Sequence, residues 1–587
     1  MSNPAKQNRC YVPAAEWLSE EIIVAVKNLG VGKDEADHLG ALVFSLAKTT
    51  AENQFTHLKI QSGADLNFLK NASASPPLCR LTGTEKTFSE GKITPLILDT
   101  RNSALYFFRH YKQEVETATR LISRSEKKED LSKHVEPVIA ATLPFPLNSE
   151  QQEAVRTLLS RALTIISGGP GTGKTTLLLR ALLCLFIRNP DAKVLLAAPT
   201  GKAAGRMKES LRSQIRRISE TPNAKALFSS GVLRKIERIE PTTLHRMLKT
   251  DASLLTRRDS PLLSADYVIV DEASMVDQAM MHRLLCALNP HSSLVLLGDK
   301  NQLDSVGAGR VFGAICAEDA LASARIELRE SRRFSEQGLL GRLARNVVSG
   351  ETSAAESLLA NAAAASDSSE TFCFSPGELT PQAIDDALSA LFPEKIKNTP
   401  ENAEPNEMLG LIDSVRFLTP LRNGRWGTEQ INARARRLFA PAGTSTETHF
   451  HGQPILITQN APRERLFNGD VGIILREKDT GTLTAYFHGE NEEIRRLPAS
   501  LLPPHETAYA MSIHKSQGSE FSRLCVIFPP EGSHEDFFSR QLLYTAITRF
   551  REGGDNSRFH LLFDPRTLLD AIRRENPVRE LLFLHAS

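Results

Sequence analysis

Paired cysteines, long apolar runs and a marked excess of either charge are all missing from this 587-residue chain. Its seven cysteines stand singly (Cys10, Cys79, Cys184, Cys286, Cys316, Cys373 and Cys525), with no C-x-x-C spacing. An odd, dispersed set argues against a disulfide framework or a zinc module and points to a reducing compartment. No apolar run reaches the roughly 18–20 residues of a membrane span, so no membrane partner is expected. The opening segment, MSNPAKQNRCYVPAAEWLSEE, lacks the basic-then-apolar layout of a secretory signal, and a cytoplasmic location is expected. With 71 basic against 69 acidic residues, global charge does not announce a nucleic-acid partner. Basic residues do gather locally, at Lys202, Arg206, Lys208, Arg212, Arg216 and Arg217 and again at Arg422, Arg425, Arg434, Arg436 and Arg437. A solvated helix face accounts for such runs as readily as a binding surface does.

What is present is an alternation of short apolar runs with helical patterns. Residues 1–135 read as a mainly helical N-terminal domain, with apolar positions at helical spacing from Trp17 to Leu46 and again over 103–123. From Leu147 the runs LTIIS (163–167), KVLLAAP (193–199), YVIVDE (267–272) and SLVLLGD (293–299) have the length and flanking turns of buried parallel strands. Residues 136–350 are therefore expected to form an α/β domain with its ligand at the C-terminal ends of the strands. Residues 351–587 hold a second such core, with strands at VRFLTP (415–420) and LCVIF (524–528). Between these two runs, FHGQPILITQN, DVGIILRE and TLTAYFHG predict consecutive β-strands, a small barrel inserted at about 435–508.

The sharpest chemical signal is SGGPGTGKTT (167–176), which follows a strand and opens a helix, the context that gives G-x-x-x-x-G-K-[ST] its meaning. Its Gly168, Gly169, Pro170, Gly171, Thr172 and Gly173 form a loop whose backbone N–H groups can cradle phosphates at a helix N-terminus. Lys174 would reach the β- and γ-phosphates of ATP, the Thr175 hydroxyl would ligate Mg²⁺, and Thr176 completes the contact set. At the end of VIVDEAS (268–274), Asp271 would hold Mg²⁺ and Glu272 would activate the attacking water. In VLLGDKNQLDSVGAG (295–309), Gln302 can bond both γ-phosphate and water. Two arginines are needed to neutralise developing charge, and Arg333 and Arg549 are the candidates.

Taken together and in order, these segments resemble superfamily-one helicases, specifically the RecD branch. LNSEQQEAV (147–155) resembles the Q motif, and LAAPTGKAA (196–204), TTLHRML (242–248), LTPLRNGRWGTEQIN (418–432), LFNGDVG (466–472), AMSIHKSQGSEF (510–521) and LLYTAITR (542–549) complete the series. The resemblance implies two RecA-like P-loop domains, an inserted SH3-like β-subdomain and a helical N-terminal domain that docks on partners. It implies ATP in the cleft, with Gln151 near the adenine and Arg333 and Arg549 entering from opposite sides. It further implies DNA contacts from Thr200, Thr243, His245, His514 and Ser516, with Gly518 and Glu520 linking the DNA and nucleotide sites. Motion from 5′ to 3′ is implied too, as are RecB-like and RecC-like partner subunits; a free-standing RecD-like helicase is the alternative. The sequence departs from the branch at Arg332, Gln541 and Phe550. No nuclease signature of clustered Asp, Glu and Lys is evident, so cleavage of DNA would belong to a partner.

Overall fold

The computed structural model describes residues 23, 33–52, 56–72, 79–81, 95–126, 136–140, 145–221, 229–249, 262–305, 307, 309–331, 338–365, 371–377, 379–444, 447–489, 493–530, 538–553 and 556–574. Arg333, with Arg332, lies outside them, as does nearly all of the first predicted helical stretch before Lys33.

Two parallel sheets organise the chain. In the first, six strands run in the order Arg325–Leu328, Leu163–Gly168, Ser293–Gly298, Tyr267–Val270, Val194–Ala198, Thr242–Thr243. Every pairing is parallel. Because side chains alternate across a strand, each central strand feeds two cores. Leu163, Ile165, Val268, Val270, Leu294 and Leu296 belong to one face, and Ile166, Ile269, Val295 and Leu297 to the other. Burial on both faces is why these strands read as unbroken apolar runs. The second sheet, also parallel, runs Phe372–Pro376, Arg558–Phe563, Arg523–Phe528, Val415–Thr419, Ala510–Ser512. The two parallel α/β cores expected from the alternation, RecA-like by the resemblance, are both present.

The predicted insertion is a five-stranded antiparallel sheet with its own small core around Ile455, Ile474, Ala485 and Phe487. Its strands are Gln453–Ile457, Val471–Arg476, Leu483–His488, Ile494–Pro498 and His505–Thr507. It returns to the second parallel sheet through Ala508 and Tyr509 alone, both fully buried.

The N-terminal region is helical, with Lys33–Glu52, Gly63–Ala72 and Phe108–Ser125 described, and it adds a four-stranded mixed sheet. The predicted helix over 103–123 begins later than its periodicity suggests. Ala104–Phe107 is a strand, paired antiparallel with Leu96–Asp99, and the helix starts at Phe108. Tertiary pairing decides here, since the run ALYFF fits either state. That helix packs on the first α/β domain: Ala118 and Leu121 join its core, and the Arg124 guanidinium donates to Ser292 O (2.6 Å) and Asn289 O (3.0 Å). No described helix is long and apolar enough to cross a membrane.

Candidate nucleotide site and motor interface

The loop 168–173 connects the strand Leu163–Gly168 to the helix Lys174–Arg188 and is held open from both sides. Gly173 has φ +79°, a left-handed conformation that other residues adopt at a cost of about 1–2 kcal/mol. A Cβ at Gly173 would sit 2.5 Å from Gln151 Nε2, and one at Gly169 would sit 2.8 Å from the Tyr544 hydroxyl. Gln151 owes its position to a capping box with Asn148, the first residue of the signature Asn-x-x-Gln. The Gln151 N–H donates to Asn148 Oδ1 (2.8 Å), and Asn148 N–H returns the bond to Gln151 Oε1 (3.0 Å). The remaining amide hydrogens of Gln151 reach Thr172 O at 2.8 Å. In this conformation Gln151 braces the phosphate loop, a role the implied adenine contact does not describe.

Lys174 Nζ donates to Gly168 O (2.5 Å) and Gly169 O (3.2 Å), inside the curve of the loop. Pro170 O accepts from Ser331 Oγ (2.8 Å), so the segment 329–331 lies at the loop's rim. Arg329 N–H donates to Glu150 Oε2 (2.8 Å) and Asn148 Nδ2 donates to Glu330 Oε2 (2.9 Å), tying the same segment to the start of the Gln151 helix.

Asp271 and Asp299 follow neighbouring parallel strands at the same end of the sheet. Burial and the adjacent Glu272 charge push the Asp271 carboxyl up, while Lys174 pulls it down. Glu272 is a non-glycine residue at φ +53°, and its N–H donates to Asp271 Oδ1 at 2.9 Å. Backbone strain of this kind concentrates at functional sites. Among the described residues, Lys174 is the cation whose charge acts on the Asp271 carboxylate beside Glu272. Together with the Thr175 hydroxyl at the helix start, the two carboxylates are a hard oxygen donor set that fits Mg²⁺.

Asp299 is 1% exposed, and burial raises its carboxyl against the pull of Lys174, Asn301 N–H, Gln302 and Tyr544. Its Oδ2 accepts from Gln302 Nε2 (3.0 Å) and from the Tyr544 hydroxyl (3.1 Å). Tyr544 belongs to the second motor domain, on helix Arg540–Ile547. Two more bonds join the same loop to that domain: Leu303 N–H to Thr545 Oγ1 (2.8 Å) and Gln517 Nε2 to Leu303 O (2.9 Å). The segment carrying Gln302 is thus clamped between the phosphate loop and the second sheet. The motifs containing Tyr544 and Gln517 were visible in the sequence, yet these residues carried no assigned role there. A strand-end aspartate at 299, equivalent in place to Asp271, was the available signal.

Arg549 is 3% exposed and donates within its own domain to Thr545 O (3.1 Å) and Ser519 O (3.3 Å). Phe550, the departure beside it, fills an aromatic cluster with Phe372 and Phe559. Gly518 (φ +67°) approaches the first domain, a Cβ there meeting Ala203 at 3.8 Å. Glu520, next along this loop, is half-buried.

Of the residues implied in strand contact, Thr200 and Thr243 lie side by side, just past and at the ends of adjacent strands. Each hydroxyl caps a helix, accepting from Ala203 N–H and Arg246 N–H, both at 3.2 Å. His245 and His514 are exposed. Ser516 is fully buried, its hydroxyl donating to Ile513 O (2.7 Å), so it is not brought to the same surface. The helix of His245 meets the insertion, where Arg246 lies 6.0 Å from the Phe467 ring. The first basic cluster lies on helix Gly201–Ser219, where Lys208 and Arg212 pair with Glu240.

A phosphate loop, strand-end carboxylates and a second parallel sheet bonded to the same cleft define a two-domain P-loop motor of the helicase class. A family model described as an AAA domain matches residues 146–366, and one described as a UvrD-like helicase C-terminal domain matches 507–553. The chain is 31% identical over 514 residues to the RecBCD enzyme subunit RecD of Haemophilus influenzae, covering 76% of each protein. It is 34% identical over 417 residues to the RecBCD enzyme subunit RecD of Mycolicibacterium smegmatis, covering 68% of this chain and 69% of that one. The ATP-dependent RecD2 DNA helicase of Deinococcus radiodurans is 27% identical over 410 residues, 69% of this chain but 48% of that protein. The chain belongs to the RecD family of ATP-hydrolysing DNA helicases.

Proposed function

We propose that this chain is the 5′-to-3′ motor subunit of a helicase-nuclease built with RecB-like and RecC-like subunits, working on broken DNA ends in the cytoplasm. The higher identity to the RecD subunits, 31% and 34%, than to the RecD2 helicase, 27%, supports the subunit over the free-standing helicase. The N-terminal region, 1–135, is the surface for partner docking, and nuclease activity resides in a partner.

In this reading the loop 168–173 and the helix start hold the phosphates of ATP, with Lys174 swinging from Gly168 O to the β- and γ-phosphates. Thr175 and Asp271 would hold Mg²⁺, which supplies neutralisation of phosphate charge when bound. Glu272 takes the proton of the attacking water, and Gln302, released from Asp299, orients that water. Arg333 and Arg549 stabilise the charge that develops on the transferred phosphoryl group. Exposed His245 and His514, together with Thr200 and Thr243, contact the strand's phosphates without reading bases. The observation that carries the reading is the three-bond clamp from the Asp299–Leu303 loop to Gln517, Tyr544 and Thr545. It gives the nucleotide site a direct hold on the turn that carries His514, through Gln517 three residues further on.

The test uses duplexes with a 5′ or a 3′ single-stranded tail, with ATP and Mg²⁺. Unwinding is expected only from the 5′ tail, alone or with the partner subunits, and single-stranded DNA should stimulate ATPase activity that Lys174→Gln abolishes. Absence of that stimulation even in the assembled complex would sink the motor assignment.

A further inference from the structure

Far along the chain from the phosphate loop, a cluster of donors lies in the seam where helix Phe108–Ser125 packs on helix Gln278–Ala287. Positions four apart share a helix face, so His282 and Cys286 stand together, and Glu116 faces them from the other helix. His282 Nε2 lies 2.6 Å from Glu116 Oε2 and 3.6 Å from Cys286 Sγ. All three donor atoms fall within 4.8 Å of one another. The side chains of His282 and Glu116 are 18% and 35% exposed, so the cluster can be reached from solvent. Cys286 is a free thiol of intermediate burial.

Both oxygen and sulfur converge on one ring nitrogen, where a single cation can satisfy all three. Zinc bond lengths of about 2.0–2.1 Å to nitrogen and about 2.3 Å to sulfur, at a tetrahedral angle, separate the two donors by about 3.6 Å. The imidazole and thiol already stand at that spacing. The same arithmetic places a carboxylate oxygen about 3.3 Å from the imidazole nitrogen, so Glu116 needs to draw back by well under one ångström. Nitrogen, sulfur and oxygen together select a borderline-soft ion over Mg²⁺ or Ca²⁺, which take oxygen. Lys112, 3.6 Å from Glu116 Oε1, and Arg120 face the cluster and oppose the added charge. The lack of C-x-x-C spacing argues only against a module built from one segment, whereas these ligands come from two helices.

We propose that Glu116, His282 and Cys286 bind one zinc-class divalent ion, with water as fourth ligand, and that the ion pins the N-terminal region to the first motor domain. The probe is Co²⁺ added to the chelator-treated full chain, read by its sulfur-to-metal charge-transfer band, followed by displacement with Zn²⁺. One equivalent per chain is expected. Cys286→Ala should remove the band and His282→Ala should weaken Zn²⁺ binding by more than the about 10–100-fold typical of losing an outer-shell partner. Cys373→Ala should change neither. Circular dichroism and DNA-stimulated ATPase activity verify that each variant is folded, since none of these residues lies in the nucleotide cleft. A parent chain that binds no stoichiometric metal, or a band that survives Cys286→Ala, overturns the proposal.

Discussion

Removing one oxygen atom, in Tyr544→Phe, tests whether the nucleotide cleft and the second motor domain act as one device. The lost bond runs from the Tyr544 hydroxyl to Asp299 Oδ2 across 3.1 Å, between groups that are both buried. A hydrogen bond to a charged group contributes about 1.5–3 kcal/mol. Asp299 keeps Gln302 Nε2 on the same oxygen and Asn301 N–H on the other, so the lower end applies. About 1.5 kcal/mol corresponds to roughly a tenfold change in rate if the bond is made only in the working arrangement of the two domains. The assay is steady-state ATPase activity with and without single-stranded DNA, beside titration of a fluorescent ATP analogue. DNA-stimulated kcat should fall about tenfold while analogue affinity stays near the parent's, because the Tyr544 hydroxyl donates to Asp299 and not to the phosphate loop. A cycle with Thr545→Val, which removes the acceptor for Leu303 N–H, should be non-additive, since both bonds serve one closure. Unchanged stimulation in Tyr544→Phe, or strict additivity in the cycle, would refute the clamp.

Gly173→Ala should weaken nucleotide binding about tenfold or more, from left-handed strain and the displaced Gln151 amide, as measured by the same titration. An unaltered Kd would show that the loop tolerates a Cβ there. Burial, aided by Arg109 and Arg558, holds His110 and His560 at about 4, against about 6.5 for an exposed imidazole. Both are neutral in the folded chain and protonate more readily when it unfolds. Their contribution is intact above about pH 6.5 and declines toward pH 4, by up to about 1.4 kcal/mol per pH unit each. His560→Leu should flatten the fall in Tm between pH 6.5 and 5, and parallel curves for parent and variant would contradict this.

The strands legible in the sequence are those buried on both faces, such as Tyr267–Val270 and Ser293–Gly298, because a doubly covered strand has no polar side. Those it hid are short or polar: Arg325–Leu328, Ile494–Pro498 and Thr242–Thr243 owe their state to a neighbour's hydrogen bonds. Ala104–Phe107 was read as helix because only its pairing with Leu96–Asp99 distinguishes the two states. The phosphate loop was legible because one segment holds all its parts. The clamp was not, since Asp299 and Tyr544 lie 245 residues apart and nothing local marks either as the other's partner. Arg549 carried its motif plainly, while its bonds to Thr545 and Ser519 depend on how the second sheet closes.

The β-insertion is fastened unequally to its host. The chain enters it through the long stretch 440–452 but leaves through two buried residues, Ala508 and Tyr509, directly into the strand Ala510–Ser512. That strand is gripped at Ala510, whose N–H and carbonyl both bond the Asn432 side chain (2.8 and 3.0 Å). Its far end runs into His514 and the turn of Gly518. The insertion is therefore a handle with one long and one short attachment. A pull on it is delivered as tension on the His514–Gly518 turn, and a shift of that turn is delivered outward along the same short path.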